Sequence, residues 1–282
     1  MRNLLSVSAK IVSSLLIMFG LSVLLQWAVA ELEDSGYSIS IIVINFSFSV
    51  IIFFLVQLFN KKYNQLHASD YGFVLTKFFK KFIAGVLSVV LIIGFILLIA
   101  GLFDVTVVFT GLQKNGAILL LQIIAANLAV GAWEEMYFRG LLFNTLLKGK
   151  SRFHLAALIT TILFTVLHAG SFDMDETSSF WFVEVILLSY ILLYLYIATR
   201  SIWAAIGFHF SWDFIWDLLN ATENKLGLIH VKEYGTNAIL LDNITIIVLG
   251  LFLLVLVYTD RKKGWTKSYC LRVMADTAYK ME

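Results

Sequence analysis

The sequence predicts an all-α, polytopic membrane protein of about eight transmembrane helices with a buried polar site. Three observations predict it. Of the 282 residues, 60% are hydrophobic and only 14% charged, against about 25% charged in soluble domains. The apolar residues fall in long runs of the length that crosses a bilayer. The basic residues fall in alternate gaps between those runs.

A helical span needs about 20 mostly apolar residues to cross ~30 Å of hydrocarbon. Read with that ruler, the first span is Ile11–Ala30, between Lys10 and Glu31, and the second is Ser38–Phe59, ending before Lys61 and Lys62. The third, Phe82–Phe103, starts after Lys80 and Lys81. The fourth, Gly116–Leu147, is over-long and holds Glu134, Glu135 and Arg139, which predicts a projection beyond the membrane or a bend near Gly131 or Gly140. Leu155–Ala169, Phe180–Thr199, Ser201–Leu219 and Asn243–Tyr258 complete the set. Ala28-Val29-Ala30 resembles a signal-peptidase site, but its apolar run is long for a signal peptide, and the first helix is expected to be retained.

Charge placement tests this count. With the N-terminus in the cytoplasm and eight alternating spans, the outer loops hold only Lys114, Lys225 and Lys232, and Arg139 lies within a span. Every other Lys and Arg falls on the cytoplasmic side, as the positive-inside rule requires, with both termini cytoplasmic. An odd number of spans would scramble the pattern. The chain reads as a single membrane domain over 1–282 with a basic cytoplasmic tail over 260–282, in which Arg261–Lys263 anchors to anionic lipid. Net charge is only +2, so nucleic acid is not an expected partner, and the single cysteine, Cys270, excludes an intrachain disulfide and a cysteine-rich zinc site.

Ionisable residues inside spans cost at least ~2.5–3.5 kcal/mol each on insertion scales and mark functional sites. Here they cluster as Glu134, Glu135 and Arg139 in the fourth span, His168 in the fifth, and His209 with Asp213 in the seventh. Glu135 and Arg139 are i, i+4 and can pair on one helix face, as can His209 and Asp213. Glu134 is turned ~100° from Glu135. Counted at 1.5 Å per residue from the cytoplasmic ends, Glu134 and His168 lie ~20 Å deep, His209 ~12 Å and Asp213 ~18 Å. Three helices therefore bring polar groups to one level. Glu184 and Asp217 lie nearer the outer surface and read as solvated or helix-pairing groups; His67, His154 and His230 read as surface residues.

A glutamate beside a histidine can activate water as a general base. A His/Asp pair can stabilise an oxyanion, or the histidines and a carboxylate can bind zinc. Either route hydrolyses an amide within the bilayer.

At these residues the sequence resembles the CAAX-protease and bacteriocin-processing (CPBP, or Abi) intramembrane proteases, related to the type II CAAX prenyl protease. The family pattern EExxxR, FxxxH, HxxxN/D reads here as Glu134-Glu135-x-x-x-Arg139, Phe164-x-x-x-His168 and His209-x-x-x-Asp213. The resemblance covers a catalytic core over about 116–219. It implies that Glu134 and His168 activate water, that His209 and Asp213 stabilise the oxyanion, and that Glu135 with Arg139 braces the site. It leaves the metal open: if one is bound, Glu134, His168 and His209 are its ligands, with zinc the candidate cofactor. Asp213 stands where the prenyl protease has Asn, and a carboxylate accepts hydrogen bonds unless protonated, so it orients His209 or binds metal. The implied partners are lipid and a membrane-associated peptide or protein, of the peptide-pheromone, bacteriocin-processing or self-immunity type, in a bacterial plasma membrane.

The motifs of other intramembrane proteases (HExxH, GxSG, GxGD) are absent. Two other functions compete: a non-catalytic scaffold regulating a partner such as a sensor kinase, and a proton-coupled transporter. Against the transporter stand the lack of an internal inverted repeat and a chain without proline, hence without proline-broken paired helices.

Overall fold

The protein is described here from a computed structural model covering residues 2–34, 38–103, 105–109, 116–149, 151–168, 181–219, 229–233 and 238–278. Each expected span has a helical counterpart. Helix α1 is Arg2–Asp34 and α2 is Ser38–Phe59, the latter continued by a π-helical turn, Asn60–Asn64, that stops at Gln65 in the left-handed region. Helix α3 is Phe78–Gly101. The fourth span is three consecutive pieces: α4, Gly116–Glu135; a π-helical stretch, Met136–Leu142; and α5, Phe143–Lys148. Then follow α6 (Phe153–His168), α7 (Trp181–Thr199), α8 (Ile202–Leu219), α9 (Ala238–Lys263) and α10 (Trp265–Ala278).

Among the described residues, five helices are long and apolar enough to cross a membrane: α1, α2, α3, α7 and α9. Helix α6 is apolar but shorter, and α4 and α8 carry the ionisable residues. Large apolar side chains such as Leu91 and Leu254 are 74% and 64% exposed, which suits a surface facing lipid.

Among the described residues, two strands interrupt the all-helical pattern. Strand β1, Val105–Phe109, follows α3, and β2, Ile229–Glu233, follows α8; they pair antiparallel from Val105 opposite Glu233 to Phe109 opposite Ile229. The pairing places the α3–α4 and α8–α9 connections on one side of the bundle, as eight alternating spans require. At the opposite end the basic connections meet: Lys10 Nζ donates to the Tyr63 carbonyl (2.9 Å), Lys81 Nζ to that of Thr199 (2.8 Å) and Arg272 Nη2 to that of Asp70 (2.9 Å). His154, expected in a loop, is an exposed residue of the first turn of α6, and His67 is exposed; the side chain of His230, in β2, lies outside the described residues.

Helix α8 is central, packed on α3, α4 and α7. Its crossing with α3 is backbone on backbone. A Cβ at Gly207 would meet the carbonyl group of Phe82, and one at Gly85 would meet the Ala204 carbonyl and, at 2.6 Å, the Phe208 nitrogen. Small residues permit such close approach between membrane helices. Gly207→Ala is expected to force α3 and α8 apart and to destabilise the fold by about 1–3 kcal/mol or more, seen as a lower melting temperature in detergent; Gly250→Ala, where a Cβ would meet nothing within 4 Å, is the matched control. Gly131 plays the same part between α4 and α8, where a Cβ would lie 3.0 Å from the Phe210 nitrogen and 3.4 Å from His209 Cβ. The approach at Gly131 brings the glutamates that follow it to α8.

The segment expected as a basic tail is largely α10, and it packs back onto the bundle. Gly264, at φ +66°, makes the corner after α9, and the Asp260 carboxylate caps the new helix through the Thr266 amide (2.8 Å) and hydroxyl (2.6 Å). Cys270 is half-buried there. Burial, and then the nearby Asp260 charge, push its thiol above the ordinary range, which disfavours the nucleophilic thiolate.

Candidate active site

Where the sequence predicts a bend, near Gly131 or Gly140, the helix carries the π-helical stretch, which contains Gly140. A π turn leaves backbone groups out of step with the α-helical ladder, and side-chain amides take up its carbonyls. Asn144 Nδ2 donates to the Arg139 carbonyl (2.7 Å) and lies 3.2 Å from that of Gly140, which also accepts from Asn60 Nδ2 at 3.0 Å. Gly140 itself faces the ring of Tyr71, 3.2 Å from where a Cβ would stand.

Immediately before this stretch come Glu134 and Glu135. Glu135 and Arg139 are each 0% exposed. The Arg139 guanidinium donates through Nη1 to Glu135 Oε1 at 2.7 Å and through Nη2 to the Ser189 carbonyl at 3.1 Å, and lies 4.7 Å from the centre of the Phe164 ring. Ser189 Oγ is 3.3 Å from the same Nη2 and 3.2 Å from Thr161 Oγ1. The buried charge pair is thus wrapped by α6 and α7 as well as its own helix.

His209 lies between the two glutamates. Its Nδ1 is 2.9 Å from Glu135 Oε1, and its Nε2 is 3.8 Å from Glu134 Oε2 and 3.3 Å from Asp213 Oδ2. Although the glutamates are turned apart on the helix, both reach this imidazole, through opposite nitrogens. His168 approaches Glu134 from α6: its Nδ1 is 2.7 Å from the Phe164 carbonyl, and its Nε2 is 3.3 Å from Glu134 Oε2. The six ionisable residues singled out in the sequence, from three separate spans, are therefore within one connected set of contacts. Glu134 and His209 are buried, whereas the His168 and Asp213 side chains retain 27% and 31% exposure and mark where the site opens.

Phe164 supplies the floor. Its ring centre is 4.2 Å from that of His168 and 5.9 Å from that of His209, in addition to the Arg139 contact. One aromatic residue thus sets the orientation of three polar side chains, a physical reason for the phenylalanine four residues before His168.

The histidine geometry makes a demand on what occupies the centre. With Nδ1–H of His168 donated to Phe164 and Nδ1–H of His209 donated to Glu135, neutral rings would turn Nε2 lone pairs toward Glu134 Oε2. Lone pair against lone pair is repulsive, so a proton or a metal cation must lie between them. Glu134 Oε2 and Glu135 Oε2 have no well-aligned hydrogen bond among the described residues, which leaves acceptor capacity for that purpose. Glu134, His168 and His209 each offer a ligand atom, all within 4.8 Å of one another, so the group could hold a metal ion. The Glu135 contact behind His209 also has the form of the outer-shell carboxylates that fix metal-binding imidazoles.

Sequence reasoning missed the uncharged partners, Ser189, Thr161, Asn144 and Asn60. Their only signal is that they are polar residues inside spans. Asp217, read as solvated or helix-pairing, accepts from Asn127 Nδ2 at 2.7 Å and so ties α8 to α4; Glu184 lies in the first turn of α7.

Comparison with known families matches residues 116–215 to the type II CAAX prenyl endopeptidase Rce1-like family. The matched segment runs from the first residue of α4 to Ile215 in α8 and contains all six residues above. Neither the curated proteins nor the solved structures yield a match.

Proposed function

We infer that the chain is an intramembrane endopeptidase of the CAAX-protease and bacteriocin-processing type that hydrolyses a peptide bond in a membrane-associated peptide or protein, a reading supported by the similarity of residues 116–215 to the type II CAAX prenyl endopeptidase Rce1-like family. The observation that carries the reading is the convergence of the His168 and His209 Nε2 atoms, at 3.3 and 3.8 Å, on the one buried oxygen Oε2 of Glu134.

Glu134 and His168 hold the attacking water. Glu134 accepts its proton as the oxygen adds to the peptide carbonyl carbon. His209, with Nδ1–H donated to Glu135 and the ring oriented by Asp213, acts as the imidazolium, whose second proton, on Nε2, is donated to the oxygen on which negative charge develops. As the C–N bond breaks, the proton taken from water passes from Glu134 to the leaving nitrogen, and the products are a carboxylate and an amine. Arg139 neutralises Glu135 and keeps it from competing for the proton. Glu134, His168 and His209 would hold zinc, which when bound polarises the carbonyl and the water as a Lewis acid.

The unit is a single membrane domain over residues 1–282 with its catalytic core at 116–219. It sits in a bacterial plasma membrane with both termini and the 260–282 segment cytoplasmic. The substrate is a peptide pheromone, a bacteriocin precursor or a small membrane protein, or the activity serves bacteriocin self-immunity.

The test compares small peptides released from cells carrying the wild-type chain with those from cells carrying Glu134→Gln or His168→Ala, at matched expression. The expected result is a peptide made only by wild type, from a precursor that accumulates in both variants. Identical peptide sets alongside a preserved wild-type phenotype would contradict proteolysis and favour a scaffold.

A further inference from the structure

Helix α10 lies outside the family-matched segment, yet one of its side chains reaches the backbone of the π-helical stretch. Tyr269 is 1% exposed, and its hydroxyl donates to Asn144 Oδ1 at 2.8 Å and lies 2.7 Å from the hydroxyl of Tyr196. The Tyr196 hydroxyl in turn lies 3.1 Å from Asn144 Nδ2. Three fully buried groups from α5, α7 and α10 thus meet: Asn144 donates to Tyr196, Tyr269 donates to Asn144, and the Tyr196 hydroxyl, beside that of Tyr269, donates to the Tyr71 carbonyl at 2.9 Å. Connected hydrogen bonds of this kind polarise and strengthen one another.

The Arg139 carbonyl fixes the orientation of the Asn144 amide. It can only accept, so the Asn144 amide must present Nδ2 to it at 2.7 Å, which leaves Oδ1 for Tyr269. Burial, with Tyr196 adding to it, raises the Tyr269 phenol well above its ordinary range, so the hydroxyl remains a donor. Contacts then run without a break from α10 to the site: Tyr269 to Asn144, Asn144 to the Arg139 backbone, the Arg139 guanidinium to Glu135 at 2.7 Å, and Glu135 to His209 at 2.9 Å. The α9–α10 corner at Gly264, the Asp260 cap and the Arg272 bond to the Asp70 carbonyl hold α10 in place to make the first of these contacts.

We propose that Tyr269 is a positioning residue of the protease, fixing Asn144 and through it the π-helical turn that carries Arg139, so that α10 belongs to the catalytic unit instead of serving only as a membrane anchor. The proposal rests on the protease reading above.

The test uses full-length protein in lipid nanodiscs and the variant Tyr269→Phe, which removes one oxygen and keeps the ring. Two readouts are taken. One is turnover of the precursor that wild type alone cleaves. The other is the ring ¹⁵N spectrum of histidine-labelled protein, which needs no substrate and is tractable with five histidines. A small displacement of reacting groups can cost up to about 10²-fold in rate. The expected result is a fall in kcat of about 10- to 100-fold with KM unchanged, and displaced His209 ring signals with those of exposed His67 and His154 unmoved. Unchanged kcat and unchanged His209 signals would overturn the proposal while leaving the protease reading standing. A loss of kcat that merely tracks a lowered melting temperature, with His209 signals unmoved, would also overturn it. If wild type cleaves nothing but the variant still displaces the His209 signals, the protease reading fails and the link from α10 to His209 holds.

Discussion

Glu134→Gln is expected to reduce peptide-bond hydrolysis by about 10²–10⁴-fold, the range that general acid–base groups supply, while the protein keeps its wild-type melting temperature in detergent. The amide is nearly isosteric, so packing around the site is preserved, but it cannot accept the water's proton and is a far poorer metal ligand. Charge balance also favours survival of the fold. Glu135 retains Arg139 at 2.7 Å, and His209 retains both Glu135 at 2.9 Å and Asp213 at 3.3 Å. A variant with intact folding and near-wild-type hydrolysis would remove Glu134 from the chemistry.

Arg139→Met is expected to act in the opposite sense, on the fold before the chemistry. Glu135 is 0% exposed, and without the guanidinium its buried charge would keep only the His209 contact at 2.9 Å. Removing one partner of a buried ion pair costs about 3–5 kcal/mol, a large fraction of the roughly 5–15 kcal/mol that separates folded from unfolded domains. The variant should melt far earlier than wild type or fail to accumulate, measured by size-exclusion of a fluorescent fusion after graded heating. The double variant Arg139→Met/Glu135→Leu should recover much of that loss, because replacing both members of a buried pair by apolar residues is often neutral. It should not recover activity, since His209 would have lost the carboxylate at Nδ1. Recovery of activity in the double variant would show that Glu135 and Arg139 are not needed to hold His209.

These two variants separate what was legible in the sequence from what was not. Hydropathy and charge located the helices well: Ser38–Phe59 is the span read from composition and the helix observed, because a run bounded by charges leaves little freedom in a bilayer. Helical periodicity also anticipated the Glu135–Arg139 and His209–Asp213 pairs, which depend only on local geometry. The angle between Glu134 and Glu135 was the limit of that reasoning. It did not reveal that His209 comes between them, because that depends on the approach of α4 to α8 at Gly131. The π-helical stretch left only a hint, an over-long span with glycine in it. The carbonyl acceptors of Asn60 and Asn144 are set by tertiary contact, and uncharged polar side chains scarcely alter hydropathy. The β1–β2 pair had a local signal in the β-branched run Val105-Thr106-Val107-Val108, but a register between segments more than a hundred residues apart has no periodicity to announce it. Tyr269 was hidden for a similar reason: a basic segment after the last span reads as solvated until its neighbours are known.

The most direct test of the central claim is isotopic. Purified wild-type protein in proteoliposomes is incubated in H₂¹⁸O with the precursor that accumulates in Glu134→Gln cells, and the products are weighed by mass spectrometry. Hydrolysis by activated water predicts one ¹⁸O in the new C-terminal carboxylate of the released fragment, with no such fragment from Glu134→Gln protein. If wild-type proteoliposomes leave the precursor intact, or if the same labelled fragment forms equally with Glu134→Gln, water activation at Glu134, His168 and His209 is not what this site does.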